Sequence, residues 1–280
     1  MKIKNYAGKL AFITGGSEGI GWALAAEFVR RGASVVVFSR SEAKLKDACK
    51  SLEPVKVAAD QKIGYFPLDV SKEKDVAAVL KKAVDTYGVP DVFVNNAGRS
   101  LPQHFEKISS AQFDETMRIN VYSIWYTLAF MLPLMKKKGG QVLNVSSMSG
   151  HMGVFGMSDY TASKFAIIGL SEAVRSEYLK YNITFSVLCP PDTDTPGFEE
   201  ENKHKPEVTK AVLGNSKPLS AETVARVCLK GMRKGKFIII PGAVAKLGYF
   251  VKRHWPWLLM SFFDSDVRKA EKKLGGKTVR

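Results

Sequence analysis

Short apolar runs alternate with segments of helical period along most of the chain. Residues 9–14, 34–39, 63–68, 91–95, 141–146, 184–188 and 237–240 are runs of strand length. Between them, apolar positions recur at helical spacing and carry helix punctuation. One such segment is 22–31, closed by Gly32. Another is 41–52, with Ser41 as N-cap and Glu42 in the first turn. Ser71 opens 71–87 and Gly88 closes it; further helices cover 110–137, a stretch through Tyr160 to about 181, and 221–234. Residues 122–135 are apolar nearly all round, which predicts burial or a subunit contact. This alternation predicts an α/β fold, a doubly wound parallel sheet of seven strands with helices on both faces. Residues 1–242 read as one domain, and 243–280 as an extension of different character.

Composition adds constraints. At 280 residues the chain is long enough for one large core. Cys49, Cys189 and Cys228 form no CxxC pair, which argues against a disulfide framework or a zinc site and fits a reducing compartment. His104, His151, His204 and His254 lie far apart, so no metal site is expected. Lys and Arg number 42 against 27 acids, a formal charge of +15, which points to an anionic partner. No nucleic-acid-binding motif is evident, leaving an acidic ligand or an anionic membrane surface. No apolar signal segment precedes Leu10 in this sequence, so export is not expected.

The first chemistry lies between the first two strands. Gly15-Gly16-Ser17-Glu18-Gly19-Ile20-Gly21 joins a strand to a helix inside a βαβ unit. In that context glycines let the backbone approach a pyrophosphate, and the helix N-terminus offers free N–H groups to it. The second strand ends at Ser39-Arg40 with no acid to accept a ribose diol. Arg40 offers a donor fork suited to a 2′-phosphate, so NADP(H) is expected rather than NAD.

Tyr160 and Lys164 are four apart and share one helix face. An ammonium one turn from a phenol favours the phenolate, so a lowered tyrosine pKa is expected. Ser147 closes the run 141–146 and can bring a second hydroxyl to the same point. Two hydroxyls and a cation suit the proton half of a carbonyl/alcohol interconversion. Gly15, Arg40, Asp69, Asn96 and Ser147 all follow strand ends and should converge on one crevice.

Thr14-Gly15-x-x-x-Gly19-x-Gly21, Asn95-Asn96-Ala97-Gly98, Asn120, Ser147 and Tyr160-x-x-x-Lys164 together resemble the short-chain dehydrogenase/reductase superfamily, across about residues 9–240. The resemblance implies a Rossmann fold and Asn120, Ser147, Tyr160 and Lys164 as catalytic residues. Tyr160 would be the general acid, Ser147 would orient the carbonyl, Lys164 would hold the nicotinamide ribose, and Asn120 would support a relay water. It implies cofactor contacts from Thr14, Gly15, Ser17, Gly19, Ile20, Gly21, Arg40, Asp69, Val70, Asn96, Ala97, Gly98, Tyr160, Lys164, Pro190 and Thr193, with Asp69 on the adenine amine. It also implies a homo-oligomer, dimer or tetramer.

A narrower resemblance lies in Pro190-Pro191-Asp192-Thr193-Asp194-Thr195-Pro196-Gly197-Phe198, with Glu201-Asn202 and Lys205-Pro206 after it. This form is similar to the 3-ketodihydrosphingosine reductase family. It implies NADPH-dependent reduction of the C3 ketone of 3-oxosphinganine to sphinganine, in sphingolipid synthesis. Asp192 and Asp194 then stand as candidate partners of the substrate's cationic amine, or alternatively as caps of turns and of the following helix. Rival readings are another lipophilic ketone, such as a steroid or 3-oxoacyl chain, and a non-catalytic NADP(H)-binding protein.

The extension is aromatic and basic. Lys252-Arg253 and Pro256 interrupt its apolar run, so it does not read as a membrane span. Trp, Phe and Leu beside Lys and Arg, followed by Arg268, Lys269, Lys272, Lys273 and Lys277, fit peripheral contact with an anionic bilayer. The alternative is that the stretch packs on the domain, over the cleft or in a dimer contact. With a long-chain keto-lipid as partner, the expected location is the cytoplasm or the cytoplasmic face of a membrane, endoplasmic reticulum in a eukaryote or inner membrane in a bacterium.

Overall fold

The computed structural model describes residues 3–213 and 217–275; Met1, Lys2 and Lys277 lie outside them. The expected alternation is present. β1 (Leu10–Thr14), α1 (Gly19–Val29), β2 (Ser34–Ser39), α2 (Glu42–Leu52), β3 (Ile63–Pro67), α3 (Glu73–Tyr87) and β4 (Val92–Asn95) form the first half. α4 (Ser110–Met117), α5 (Ser123–Met135), β5 (Gly140–Val145), α6 (Ser158–Tyr178) and β6 (Ile183–Leu188) follow. Then come β7 (Thr193–Asp194), α7 (Pro196–His204), α8 (Glu207–Leu213), β8 (Leu219–Ser220), α9 (Ala221–Arg233) and β9 (Ile238–Ile239). Seven strands make one sheet in the order β3-β2-β1-β4-β5-β6-β9, every pair parallel. β1 and β4 meet where the order reverses, which opens a crevice at the strand C-termini.

Strands covered on both faces read as unbroken apolar runs, and Val35-Val36-Val37-Phe38 and Val92-Phe93-Val94 are fully buried. One face carries α1 and α9 in a layer with Leu24, Phe28, Val224 and Cys228. The other carries α3, α5 and α6 in a layer with Leu80, Ile124, Met131 and Ile167.

Two local expectations are corrected and a third is narrowed. Ser71 does not cap α3, which starts at Glu73 behind Lys72; the Ser71 hydroxyl instead donates to Asp69 Oδ1 at 2.7 Å. The segment 110–137 is not one α-helix, because Arg118–Tyr122 adopts a π-turn between α4 and α5. The extra residue in that turn faces Asn120 inward, where it is fully buried. Residues 122–135 bury one side; Tyr122 and Trp125 stand exposed on the other, so of the two expectations for this segment full burial is not met and a subunit contact stays open.

The C-terminal stretch forms α10 (Ala243–His254) and α11 (Pro256–Lys273). The break falls at Trp255, held at φ −134° and ψ 63°, because a residue before proline is pushed out of the helical region. α10 docks Ala245 and Tyr249 against Val187, Cys189 and Ile240, and α11 packs on α8 with Ala270 buried. The outer faces remain apolar: Trp257 is 65% and Phe262 60% exposed, beside Leu247, Phe250, Leu258 and Met260. Among the described residues, no helix is long and apolar enough to cross a membrane.

Candidate active site

The strand ends open on a cleft of about 960 Å³. Its near end is the glycine-rich turn. Gly15 sits at φ +62°, and a Cβ there would stand 2.8 Å from Asn96 Nδ2. A side chain at Gly21 would run into the Gly15 carbonyl and the Asn96 amide. Asn96 Nδ2 donates to the carbonyls of Thr14 at 3.1 Å and Gly15 at 2.9 Å, while Thr14 Oγ1 accepts from the backbone N–H of Asn96 and Ala97. The loops after β1 and β4 are thus locked together, with backbone facing the cleft.

Most of the expected residues reach the cleft wall. Gly15, Ser17, Gly19, Ile20, Arg40, Asp69 and Val70 line one half. Asn96, Ala97, Gly98, Ser147, Tyr160, Lys164, Pro190, Asp192 and Thr193 line the rest. Four do not. Thr14 and Gly21 lie behind the wall as packing and hydrogen-bonding supports. Asp194 is exposed and outside the wall, because successive residues of β7 face opposite ways. Asn120 also lies behind it: Nδ2 donates to the Arg99 carbonyl at 3.0 Å and to Ser163 Oγ at 2.9 Å, and Oδ1 accepts from Arg99 N–H at 2.8 Å. Its side chain braces the segment after Gly98.

Ser147, two residues beyond β5, is extended and accepts from Ser149 N–H at 3.1 Å. Tyr160 and Lys164 stand one turn apart on α6, with Lys164 Nζ 5.3 Å from the Tyr160 ring centroid. Lys164 is almost fully buried, and its Nζ donates to the Val145 carbonyl at 3.1 Å. Burial pushes this ammonium down to about 8, partly opposed by the Cys189 thiol beside it.

The expectation for Tyr160 is reversed. Its ring keeps an edge on the cleft, but the hydroxyl lies deep, and that burial raises the phenol well above its ordinary range. The Glu201 carboxylate reinforces the rise, a hydrogen bond with Ser147 opposes it, and Asp192 adds to it. The phenol is held protonated, as a donor.

Several contributors carry no sequence motif. Asp159 is buried at the start of α6, accepting from Tyr160 N–H at 2.7 Å and from Thr116 Oγ1 at 2.8 Å, which ties the tyrosine's turn to α4. Asn95, Thr127, Asn144 and Ser171 form a buried side-chain chain across the ends of β4 and β5. Glu201, on α7, lines the cleft. An acid at the start of a helix was the available signal for Asp159; the others needed the sheet order.

The wall fits a dinucleotide. The glycine turn leaves room for phosphates, and the Ser39 hydroxyl is buried on the cleft without a hydrogen-bond partner among the described residues. Such a group calls for one. Arg40 stands exposed next to it, close enough to Asp69 to help lower that carboxyl, whose pKa falls because hydrogen bonds from Ser71 and the charges of Lys72 and Arg40 outweigh its desolvation.

Known proteins agree with this geometry. Residues 9–206 match the short chain dehydrogenase family. The chain is 39% identical over 227 residues to 3-dehydrosphinganine reductase of Danio rerio, covering 80% of this chain and 68% of the relative. It is 36% identical over 272 residues to 3-ketodihydrosphingosine reductase of Dictyostelium discoideum, covering 92% and 81%. A short-chain dehydrogenase/reductase from Burkholderia phymatum, solved with NAD, superposes with a TM-score of 0.78 at 22% identity, covering 91% of this chain and 96% of that one. The chain therefore belongs to the short chain dehydrogenase family and is an oxidoreductase that works with a nicotinamide cofactor.

Proposed function

We propose that the protein reduces the C3 ketone of 3-oxosphinganine to sphinganine with NADPH. The observation that carries the reading is a protonated, deeply placed phenol beside a serine hydroxyl and a buried ammonium, at the end of a glycine-cradled cleft. The names of the relatives supply the substrate.

Ser39, Arg40 and the turn 15–21 hold the cofactor, with Arg40 and the free Ser39 hydroxyl on a 2′-phosphate. When bound, the nicotinamide supplies the hydride. Ser147 donates a hydrogen bond to the carbonyl oxygen and orients it. Tyr160 gives its proton to that oxygen as negative charge develops there. Lys164 keeps a positive charge behind the phenol while the proton leaves, which lowers the cost of the phenolate in a buried place. Asn120 and Asp159 act indirectly, by fixing the backbone at Arg99 and Tyr160.

The outer apolar faces of α10 and α11 belong against a membrane. Aromatic side chains stand exposed beside Lys252, Arg253, Lys269 and Lys272. Trp125, Tyr122 and Phe165, exposed on α5, its preceding turn and α6, are the surface offered to a second copy of the chain.

The test is sphinganine formation from 3-oxosphinganine in mixed micelles with NADPH. Turnover falling by about 10³-fold or more in Tyr160→Phe, with cofactor binding kept, supports the reading. Unchanged turnover in that variant sinks the assignment of the acid.

A further inference from the structure

Asp192 lines the cleft one residue before β7, fixed by its carbonyl accepting from Leu219 N–H at 3.0 Å. Its half-buried carboxylate accepts no hydrogen bond among the described residues; burial penalises its charge, and the Lys205 ammonium offsets only part of that penalty. Facing the same cleft from α7 is Glu201, whose side chain is 13% exposed. Lys205, 4% exposed, pairs with Glu201 at 2.8 Å. The same ammonium donates to Asn202 Oδ1 at 2.8 Å and lies 4.4 Å from the centre of the Phe198 ring. Lys205 is therefore already committed. Two carboxylates and one ammonium leave one net negative charge. Asp192 and Glu201 line the same cleft as Tyr160 and Ser147, so that charge faces the space the ketone must enter.

Two carboxylates sharing one ammonium in a desolvated wall call for a second cation. Resting on the functional reading above, we propose that Asp192 and Glu201 form the subsite for the substrate's ammonium, with Lys205 as internal counter-ion. In a 2-amino-3-ketone the ammonium is on the carbon next to the carbonyl. A ketone whose oxygen reaches Tyr160 and Ser147 thus brings a positive charge to this wall. Asp194 has no part in it, being exposed on the far side of β7. The subsite is a specificity device in the cleft wall: it favours amine-bearing ketones over neutral ones of equal chain length.

The test compares kcat/KM for 3-oxosphinganine and for the same 1-hydroxy-3-ketone without the amine. The native chain should favour the amine by about 30-fold or more, and Asp192→Asn or Glu201→Gln should each remove most of that preference. Adding Lys205→Met to Glu201→Gln restores one net negative charge and should restore the preference. A merely structural role would not be rescued in this way. Equal losses on both ketones in the single variants, or no rescue in the double variant, overturn the subsite. Reduction of both ketones at equal rates by the native chain removes the subsite and leaves the ketoreductase standing. Reduction of neither removes the functional reading, and the subsite with it.

Discussion

Arg40 and Tyr160 show what single residues reveal before any fold is known. Arg40 is exposed at the end of β2, beside an unpartnered Ser39 hydroxyl, where no acid stands to favour a ribose diol. Arg40→Ala should raise KM for NADPH by about 10- to 100-fold and leave KM for NADH within about threefold, as steady-state kinetics with both cofactors would show. Equal effects on both would remove the phosphate contact. This cation could be read from the strand end alone, as could the Tyr160–Lys164 spacing. The state of the phenol could not. The sequence places Lys164 one turn away, but α7 brings Glu201 into the same cleft from beyond β6 and β7, and burial decides the direction. Asp194 fails for a similar reason. Its position in the motif resembles that of Asp192, but which way each points depends on a two-residue strand that pairs with Leu219–Ser220.

Among the elements, the seven strands were legible because strands buried on both faces write continuous apolar runs. The π-turn at Arg118–Tyr122 was not, since a single extra residue in an apolar helix leaves its composition unchanged. Nor was the docking of α10, which joins residues far apart in sequence: besides its packing on Val187, Cys189 and Ile240, His151 meets Tyr249 edge-on at 4.6 Å between centroids. Burial pushes His151 down to about 4 from its ordinary 6.5, with Arg253 adding to the shift. The unfolded chain therefore binds more protons than the folded one between these values. Stability from this group is complete above about 6.5 and is lost as pH falls toward about 4. Between about pH 7 and 5, the native chain should lose on the order of 1 kcal/mol more than His151→Phe, once partial exposure is discounted. Urea titrations of both at the two pH values would measure it; identical losses would mean that His151 is not held neutral against α10.

At the scale of the molecule, an excess of basic residues and an apolar outer hairpin point the same way. The formal charge is +15, while Trp257 and Phe262 stand open to solvent on α11. Anionic vesicles at low salt should carry the protein upward in flotation. Trp257→Asp with Phe262→Asp should lower the partition coefficient by about tenfold or more, since each ring contributes about 1.5–3 kcal/mol when buried. Unaltered flotation would place the lipid contact elsewhere. The sequence announced this hairpin's composition but not its two-sided use, because the inner residues Ala245 and Tyr249 look no different from the outer ones until the core beneath them is known. Reduction at a single carbon is read out by isotope transfer. NADPH deuterated at the transferable C4 position, given with 3-oxosphinganine, should yield sphinganine with one deuterium at C3, and Tyr160→Phe should yield essentially none. Cofactor binding with no deuterium in the lipid, from a protein that reduces a different ketone, would contradict the account.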